Sequence, residues 1–333
     1  MAAIHPAEVL EETGAVHAPV WSPCEHYAGD RLKLEKATRL PGADRGLFDL
    51  TLDLEDGAEV GAEHANACEL IEGLNLNHVS ASSFAGRVGF RVHPPDHRCF
   101  VEDLRLIANQ SKRPIDYLVI PKVGGAESAS EAIRATQRTY SLAQKPMPAI
   151  QFFIETHEAL SDVAEIAKFP QVSFLTFGQM DLTSAHRGAI PASAMHSPGQ
   201  FTNPLLRRAK LELSAACHAA GKIPTHNPTL NYNDIAQTAA DAIQAREFGF
   251  LRMMSIHPSQ IDPILEAFSP QYEELSEATA ILLKAQQKSW GPIAHEGKLH
   301  DRASYRFYWD RLRLAKRMER VLPQAAEIFF SSN

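Results

Sequence analysis

Long hydrophobic runs are missing from this chain. Its 333 residues contain no stretch of about 18 or more consecutive apolar residues, the length that a membrane-spanning helix needs. Residues 1–19 include acidic side chains and lack the basic segment and apolar core of a secretory signal peptide. We therefore expect no membrane span, no signal peptide and a cytoplasmic location.

Cysteine is scarce, and positive charge is in the minority. The four cysteines are scattered and form no Cys-x-x-Cys pair, so we expect reduced, buried side chains and no zinc site built from them. Lysine and arginine number 33 against 40 aspartates and glutamates, which gives a formal net charge of −7. This balance argues against nucleic-acid binding, which usually needs a basic face.

What the chain does have is a repeated pattern of eight short apolar runs, each followed by a polar or charged cluster. The runs lie at 19–21, 48–54, 89–92, 117–120, 150–154, 172–177, 222–224 and 250–256. Continuous apolar runs are typical of buried strands in a parallel sheet, and parallel strands need helical crossovers. Eight such units predict an α/β fold of the (β/α)₈ TIM barrel type, with its chemistry at the C-terminal strand ends.

The chain is longer than a barrel requires. A TIM barrel commonly uses about 250 residues, and 44% of this chain is hydrophobic, which suffices for a large core. We predict a poorly packed N-terminal arm at 1–17, a catalytic TIM barrel at 18–275 and a C-terminal helical extension at 276–333. The extension is expected to form an oligomer contact.

The intervals between the apolar runs favour helices. We predict helices at 25–40, 58–74, 101–109, 126–142, 158–168, 205–220, 234–248, 261–288 and 305–321, with turns at 290–301. The Pro- and Gly-containing segment 183–204 is predicted to be a long loop, of the kind that serves as a lid or subunit contact. The last helix is strongly basic. Its cations form either a solvated or subunit-facing surface or a wall near a phosphorylated substrate tail.

Two acidic residues stand at neighbouring strand ends. Glu155 follows the fifth run and Asp181 the sixth, and adjacent strand ends lie side by side in a barrel. Both carboxylates would then reach one Mg²⁺ ion, which prefers oxygen ligands and accepts one or two protein carboxylates. The alternative is that Glu155 caps the following helix and Asp181 stabilises its loop. The spacing supports the two interpretations equally.

Other polar residues follow the neighbouring strands. Arg91 ends the third, and its planar fork suits a carboxylate. Lys122 ends the fourth, and Glu55-Asp56 ends the second, where a carboxylate would hold metal-bound water or orient Arg91. A metal, an arginine and a ring of polar groups suit a 2-oxo acid, which chelates Mg²⁺ through its carboxylate and keto oxygens.

Two histidines follow strands as well. His93 comes after the third run and His226 after the seventh. An unperturbed imidazole titrates near ~6.5, so both are candidates for proton transfer or substrate binding. The alternative for each is a hydrogen-bonded structural residue, which is the interpretation that His257 before Pro258 fits best.

Six motifs occur in the order of a known family. They are LDLEDG (52–57), FRV (90–92), IPKV (120–123), FIET (153–156), FGQMD (177–181) and SIHPSQI (255–261). Together they resemble citrate lyase β-subunit-like proteins of the HpcH/HpaI aldolase and malyl-CoA lyase superfamily, from about residue 30 to 317. The resemblance implies a TIM barrel and a carbon–carbon lyase that depends on Mg²⁺, with Mn²⁺ as an alternative metal.

The resemblance also implies roles for particular residues. Glu155 and Asp181 correspond to the metal ligands, and Arg91 to the contact with the substrate carboxylate or oxyanion. Asp56 would lie just outside the metal ligands, beside Glu55, and Lys122 would be an orienting charge at the mouth rather than a Schiff-base nucleophile. The catalytic candidates are therefore Arg91, Asp56 and Glu55, and the substrate-binding candidates are Arg91, Lys122, Glu155, His93 and His226.

The sequence departs from the family pattern around the same mouth. The opening strand, assigned to 19–23, lacks the usual Arg-Ser start and Val-Pro-Gly end, and His93 replaces an asparagine. The segment 224–228 lacks the common aspartates, and 252–254 lacks the lysine that often precedes Ile-His-Pro. We therefore expect a substrate other than citrate or malyl thioester.

The expected reaction is reversible cleavage of a 3-hydroxy acid, or its coenzyme A thioester, to a 2-oxo acid or glyoxylate plus an enolate-derived product. Asp56, His93, His226 and a residue of a neighbouring subunit are the candidates for proton transfer. One alternative is a class II pyruvate aldolase that acts on free hydroxy-oxo acids. Another is a non-catalytic subunit that binds a 2-oxo acid or acyl carrier in a larger complex. The resemblance implies a homo-oligomer, either a trimer or a hexamer.

Overall fold

A computed structural model describes residues 4–11, 21–56, 60–76 and 84–331. Eight parallel strands close a barrel, in which each strand pairs with the next in sequence and the last pairs with the first. The strands are β1 (Cys24–Ala28), β2 (Asp49–Asp53), β3 (Val88–Arg91), β4 (Tyr117–Ile120), β5 (Ala149–Ile154), β6 (Val172–Phe177), β7 (Ile223–His226) and β8 (Arg252–Ser255). The predicted (β/α)₈ TIM barrel is confirmed.

Helices connect the strands and continue beyond the barrel. They are α1 (Pro6–Leu10), α2 (Arg31–Ala37), α3 (Glu63–Asn75), α4 (Phe100–Gln110), α5 (Ala126–Leu142), α6 (His157–Ser161), α7 (Val163–Lys168), α8 (Gln179–Ala185), α9 (Gly199–Thr202), α10 (Pro204–Ala219), α11 (Ile235–Glu247), α12 (Ile261–Phe268), α13 (Tyr272–Gln287) and α14 (Arg302–Arg317). The limits of α10 have local causes: the Asn203 side chain accepts backbone N–H groups at its start, and Gly221 takes a positive φ after its end. Across the described ranges, no helix has the length and apolarity that crossing a membrane would require.

The first strand differs from the sequence prediction. The sequence places it at 19–21, of which only residue 21 is described, whereas β1 starts at Cys24 and otherwise overlaps the segment 25–40 that is predicted to be helical. The polar residues Glu25 and His26 suggest a solvated helix, but both are buried in the barrel. The departure from the family's opening strand, assigned above to 19–23, therefore refers to the wrong residues.

Glu25 is tolerated in β1 because it belongs to a buried ionic cluster inside the barrel. Its Oε1 accepts a hydrogen bond from Thr51 at 2.6 Å, and its Oε2 lies 3.8 Å from Nε of Arg252. Arg252 also pairs with Asp49, at 3.0 Å, and all three charged side chains are 0% exposed. Since removing one partner of a buried ion pair leaves an uncompensated charge, this cluster ties β1, β2 and β8 together.

The segment 183–204 is more structured than the predicted loop. It contains the end of α8, a 3₁₀ turn at Ala192–Met195 and α9. The Gln179 side chain donates hydrogen bonds to the carbonyl groups of Ala194 and Met195, at 3.3 and 2.9 Å. The segment is therefore packed against the base of α8.

Other helix predictions are correct in position but not in continuity. The helix predicted at 158–168 is divided into α6 and α7 at Asp162. The helix predicted at 261–288 is divided into α12 and α13, with Pro270 between them. The segment 290–301 forms a hairpin of β9 (Ile293–His295) and β10 (Lys298–His300).

The chain divides into two compact units. The barrel unit is Pro23–Phe268. The second unit is made of two parts of the chain, the part from Ser269 onward and the N-terminal part that contains α1. The core of the second unit includes Leu10, Leu282, Trp290, Tyr305, Trp309 and Leu312. The predicted arm at 1–17 is described at residues 4–11, where α1 buries Leu10 in this core. The predicted boundaries at 17 and 275 stay a prediction.

Several cations of the basic helix have partners within the second unit. Arg311 pairs with Glu274 at 2.9 Å. Lys316 lies over the ring of Phe330, with Nζ 5.8 Å from the ring centre. For these two cations the contacts favour a structural role over contact with a phosphorylated tail.

Candidate active site

Two strand ends bring Asp53 and Arg91 together. Asp53 ends β2, Arg91 ends β3, and the two are register partners. Arg91 donates hydrogen bonds from Nε and Nη2 to the two carboxylate oxygens of Asp53, at 2.7 and 2.6 Å. Nη1 contacts Glu55 at 2.8 Å, and Nη2 also contacts Asp56 at 3.1 Å. Burial opposes the charge on Arg91, but Asp53 above all holds the pKa of Arg91 well above its usual value.

Glu55 connects Arg91 to Lys122. Nζ of Lys122 donates a hydrogen bond to Glu55 at 2.7 Å and lies 3.8 Å from Oδ1 of Asp181. Although burial acts in the opposite direction, the hydrogen bond and charge of Glu55 raise the pKa of Lys122. A lysine that forms a Schiff base needs a lowered pKa, so the geometry favours a fixed positive charge here.

Glu155, which follows β5, is a buried acid. Its Oε1 accepts the backbone N–H of Lys122 at 2.8 Å, and Lys122 takes a φ of +52° where it does so. Burial and, after it, the charge of Asp181 raise the pKa of Glu155 to about 8. A divalent cation would favour the ionised form of both acids, so this pair fits a metal-binding role.

Gly178 leaves room for the Glu155 side chain. A Cβ at position 178 would lie 2.2 Å from Oε2 of Glu155, which is impossible without rearrangement. Three residues later, Asp181 lies in the first turn of α8 rather than in a loop, and its side chain is 51% exposed. A buried acid and an exposed acid therefore face each other across the ends of β5 and β6.

Negative charge exceeds positive charge in this group. Five carboxylates meet two cations, and the members are Asp53, Glu55, Asp56, Glu155, Asp181, Arg91 and Lys122. Such an excess repels an anionic substrate unless a cation offsets it. The donors are all oxygen atoms, which suits Mg²⁺ or Mn²⁺ better than a soft metal.

Five of these seven charged residues line a cavity of about 220 Å³. Its polar wall includes Asp53, Asp56, Arg91, Glu155, Asp181 and Asn227. Its apolar wall includes Tyr27, Phe153, Phe177, Leu230, Met254 and Ile256. The cavity thus has the size of a small organic acid and is lined by both charged and apolar side chains.

Asn227 is held by a chain of amide hydrogen bonds. The carboxylate of Asp241 accepts from Nε2 of Gln200 at 3.0 Å, so Oε1 of Gln200 must be the accepting end. That Oε1 accepts from Nδ2 of Asn227 at 3.0 Å. Oδ1 of Asn227 is buried, and among the residues that the structure describes it has no hydrogen-bond partner. A hydrogen-bond acceptor is therefore available at the cavity wall.

His226 lies behind this wall and does not line the cavity. Its Nδ1 donates to the carbonyl of Asn227 at 2.8 Å, and its Nε2 accepts from Nζ of Lys210, also at 2.8 Å. Lys210 is fully buried and donates a second hydrogen bond to Gln200. Burial, followed by the charge of Lys210, holds the pKa of His226 well below its usual value. His226 therefore supports Asn227 and does not face a substrate.

His93 also lies away from the cavity. Its ring Nδ1 and its backbone N–H both bind Oδ2 of Asp103, at 2.7 and 2.9 Å. Its ring stacks on His97, with the ring centres 4.5 Å apart. Of the predicted site residues, Asp56, Arg91, Glu155 and Asp181 line the cavity, Glu55 and Lys122 adjoin it, and the two histidines stand outside.

Tyr27, Asp53 and Asn227 are among the lining residues that the sequence does not predict. Tyr27 is missed because β1 is assigned too early in the chain. Asp53 stands at an inward position of the alternating run 48–54, and this alternation could have identified it. At the end of β7 the sequence prediction selects His226, whereas the neighbouring residue Asn227 lines the cavity. Successive residues of a strand face opposite sides, so an error of one residue selects the wrong side.

Comparison with known proteins identifies the family. Residues 32–258 match the family model described as HpcH/HpaI aldolase/citrate lyase. A citrate lyase from Burkholderia xenovorans LB400 is 45% identical in sequence, with a TM-score of 0.84, and the match covers 99% of this chain and 100% of that one. An L-malyl-CoA/β-methylmalyl-CoA lyase from Cereibacter sphaeroides is 27% identical in an alignment of 296 positions that covers 79% of this chain and 89% of that protein.

A third similarity concerns the fold alone. Protein CitE from Mycobacterium tuberculosis, solved with magnesium, acetoacetate and coenzyme A, is 21% identical, with a TM-score of 0.67. The match covers 89% of this chain and 98% of that one. Together, the family match and the 45% identical structure confirm the resemblance seen in the motifs. The chain belongs to the HpcH/HpaI aldolase/citrate lyase family, a superfamily of lyases and aldolases.

Proposed function

We propose that this protein is a divalent-metal-dependent carbon–carbon lyase. It would cleave a 3-hydroxy acid, or its coenzyme A thioester, to a 2-oxo acid or glyoxylate and an enolate-derived product. The observation that carries the proposal is the grouping of Glu155, Asp181 and Arg91 around one small cavity. Protein CitE from M. tuberculosis, the fold relative, has been solved with magnesium, acetoacetate and coenzyme A, and also with magnesium and the 2-oxo acid pyruvate, which supports this substrate class.

Glu155 and Asp181 would hold the metal, with Mg²⁺ favoured and Mn²⁺ acceptable. When bound, the ion would supply Lewis-acid stabilisation of negative charge on the substrate oxygens. The protein contributes a fixed position for Glu155, through the N–H of Lys122, and the space that Gly178 provides. These contacts orient one carboxylate before substrate arrives, which avoids reorganisation during the reaction.

Arg91 would bind the substrate carboxylate or developing oxyanion. Its orientation is fixed by the two hydrogen bonds to Asp53, while its contact with Asp56 involves a carboxylate that is 69% exposed. Because the Asp56 carboxylate is largely exposed, it can shift away from Nη2 and leave that position to a substrate carboxylate while it stays at the edge of the cavity. One preorganised donor of this kind is worth about 3 kcal/mol in the transition state.

Proton transfer would fall to Asp56 among the side chains proposed from the sequence. His93 and His226 do not line the cavity, and their rings are hydrogen-bonded to Asp103 and Lys210. Asp56 lines the cavity beside Arg91, and Oδ1 of Asn227 would accept a hydrogen bond from the substrate hydroxyl group. A residue from a neighbouring subunit is the alternative, since the family resemblance implies a homo-oligomer.

A free-acid aldolase is the second candidate. The cavity of about 220 Å³ holds a small acid, and a coenzyme A moiety would have to lie outside it. Cleavage of free 4-hydroxy-2-oxo acids, with no activity on hydroxyacyl thioesters, would select this candidate. Metal-dependent binding of oxo acids with no cleavage of any of these substrates would instead select a non-catalytic binding subunit.

The first test is a thermal-shift titration of Mg²⁺ with a panel of 2-oxo acids, on the wild type and Glu155→Gln. A ligand at about 100 times its Kd stabilises a protein by about 2.7 kcal/mol, which raises its Tm by several degrees. We expect a shift that needs metal and oxo acid together and that is absent in Glu155→Gln. Glu158→Gln, on the exposed face of α6, is the matched control. An equal shift in wild type and Glu155→Gln would refute the metal assignment.

A further inference from the structure

The loop between β3 and α4 carries a second group of metal-binding side chains. His93, His97 and Cys99 each offer a donor atom, and these atoms lie within 4.8 Å of one another. Cys99 is the residue that immediately precedes α4. Among the described residues that line the active-site cavity, none belongs to this group. The group is therefore separate from the oxygen donors at Glu155 and Asp181.

His93 is already oriented as a metal ligand. Asp103 fixes its ring through Nδ1 at 2.7 Å, which leaves Nε2 as the only ring nitrogen available for a ligand. This Nε2 is buried, and no residue in the described part of the chain is its hydrogen-bond partner. An unpaired buried polar atom costs about 1–3 kcal/mol. A carboxylate on one imidazole nitrogen, with the other aimed at a metal, is the usual arrangement around metal-bound histidine.

His97 and Cys99 are placed to complete the group with little movement. Both are partly exposed, and Nδ1 of His97 accepts the backbone N–H of Cys99 at 3.3 Å. Tetrahedral zinc places nitrogen and sulfur donors about 3.4–3.7 Å apart. The present 4.8 Å spread therefore needs a contraction of about 1 Å. Rotation of the His97 ring out of its stack on His93 can supply it, since His97 lies on a surface loop.

The donor types select the metal. Imidazole and thiolate donors favour zinc and similar transition metals, whereas Mg²⁺ prefers the oxygen donors of the active site. Burial has the largest effect on the pKa of His93 and on that of Cys99, and the Glu63 carboxylate, which pairs with Arg98 at 3.5 Å, has a smaller effect on both, so Glu63 lies near enough to add favourable charge for a cation. Three protein ligands leave one position for a water molecule or for Glu63.

We propose that His93, His97 and Cys99 bind one zinc-type ion. The ion would link the loop that follows Arg91 to the residue that precedes α4. It would thereby stabilise the conformation of this loop without taking part in catalysis. The scattered cysteines predict no zinc site built from cysteine alone, and this site uses only one of them.

Cobalt spectroscopy tests the proposal directly. Protein that has been stripped of transition metals is titrated with Co²⁺ in saturating Mg²⁺. Co²⁺ bound to a thiolate gives a near-ultraviolet charge-transfer band, whereas Co²⁺ bound only to oxygen ligands does not. We expect the band to saturate at one equivalent and to disappear when Zn²⁺ is added. Cys99→Ser should abolish the band. His97→Ala should weaken zinc binding at least about 10-fold in competition with a chelator.

The chain offers a matched control in Cys68. Its Sγ lies 3.5 Å from Nε2 of His64 on α3, so this pair has the same donor types, and within the described ranges it belongs to no group of three metal-binding side chains. Cys68→Ser should keep the full cobalt band. Asp103→Asn, which keeps the volume at 103, should lower the affinity about 10- to 100-fold. Absence of a one-equivalent thiolate band in the wild type, or its loss in Cys68→Ser with retention in Cys99→Ser, would overturn the proposal.

Discussion

Gly178 and Glu155 are so close that no other residue fits at position 178 without displacing the carboxylate. A Cβ there would lie 2.2 Å from Oε2 and 2.4 Å from Cβ of Glu155. Real Cβ atoms do not approach other heavy atoms this closely. The end of β6 therefore determines where the buried acid at the end of β5 can stand.

Gly178→Ala should consequently impair metal binding more than folding. The new methyl group pushes the Glu155 carboxylate away from Asp181. Mutating a residue that supports a metal ligand typically lowers metal affinity or activity by about 10- to 100-fold, and we expect a loss of that order here. Mg²⁺ affinity measured by calorimetry should fall by that factor. Gly124→Ala is the control, because its Cβ would meet its nearest neighbour at 4.0 Å. Equal losses in both variants would argue against steric control of Glu155.

The raised pKa of Glu155 predicts that metal binding depends on pH. The metal requires the ionised acid, and with a pKa of about 8 its ionised fraction falls by about tenfold per pH unit below that value. Mg²⁺ affinity should therefore increase from about pH 6 to about pH 8 and then level off. Calorimetry in buffers with different ionisation enthalpies should detect a released proton near neutral pH. A flat profile between about pH 6 and 8 would show that Glu155 is already ionised.

The raised pKa of Glu155 also makes the stability of the metal-free protein depend on pH, and here an increase in pH is unfavourable. The pKa of Glu155 is about 8 in the folded protein, against the ordinary value of 4.5 that we take for the unfolded chain. The folded state therefore binds this proton more tightly than the unfolded state. The contribution of Glu155 to stability is therefore complete below about pH 4.5 and is lost as the pH increases through about 8. The unfolding free energy of the metal-free protein, measured by denaturant titration at several pH values, should show this loss in the wild type and not in Glu155→Gln.

Arg252→Met should strongly destabilise the barrel. The substitution leaves Glu25 and Asp49 as buried carboxylates without their cation, and breaking a buried ion pair costs about 3–5 kcal/mol. Urea denaturation should measure this loss of unfolding free energy. Arg208→Met, which breaks an exposed pair with Glu212, should leave the unfolding free energy nearly unchanged. Similar values for the two variants would contradict the importance of the interior cluster.

The sequence predicts the barrel well because parallel strands carry continuous apolar runs. The runs 117–120 and 172–177 coincide with β4 and β6, and most other strands are displaced by one or two residues. β1 is the exception. Its charged residue Glu25 has its partner in β8, more than 200 residues away in the sequence, and a local pattern cannot reveal such a pairing.

The candidate site is predicted in its acids and its arginine but not in its support. Glu155, Asp181 and Arg91 stand at strand ends, where a barrel must bring them together. The buried position of Lys210 could not be predicted, because the residue occupies an ordinary place in an amphipathic helix. Only the three-dimensional contacts with Gln200 and His226 explain its burial.

Asn227→Leu tests whether this buried network serves substrate recognition. The change keeps the branched shape of the side chain but removes Oδ1, the acceptor proposed for the substrate hydroxyl group, together with the Nδ2 group that donates to Gln200. We expect kcat/KM for the hydroxy acid to fall about 5- to 30-fold, since one such hydrogen bond is worth about 1–2 kcal/mol. Mg²⁺ affinity should be unchanged, because Asn227 contacts neither of the proposed metal ligands.

The 2-oxo acid product separates recognition from packing, because it lacks the hydroxyl group that Asn227 would bind. Its affinity for Asn227→Leu, measured by the metal-dependent thermal shift, should equal that for the wild type. Asn231→Leu, at an exposed position in the same loop, controls for the loss of an amide and should leave both quantities unchanged. If Asn227→Leu weakens product and hydroxy acid to the same extent, the amide maintains the shape of the cavity and does not read the hydroxyl group.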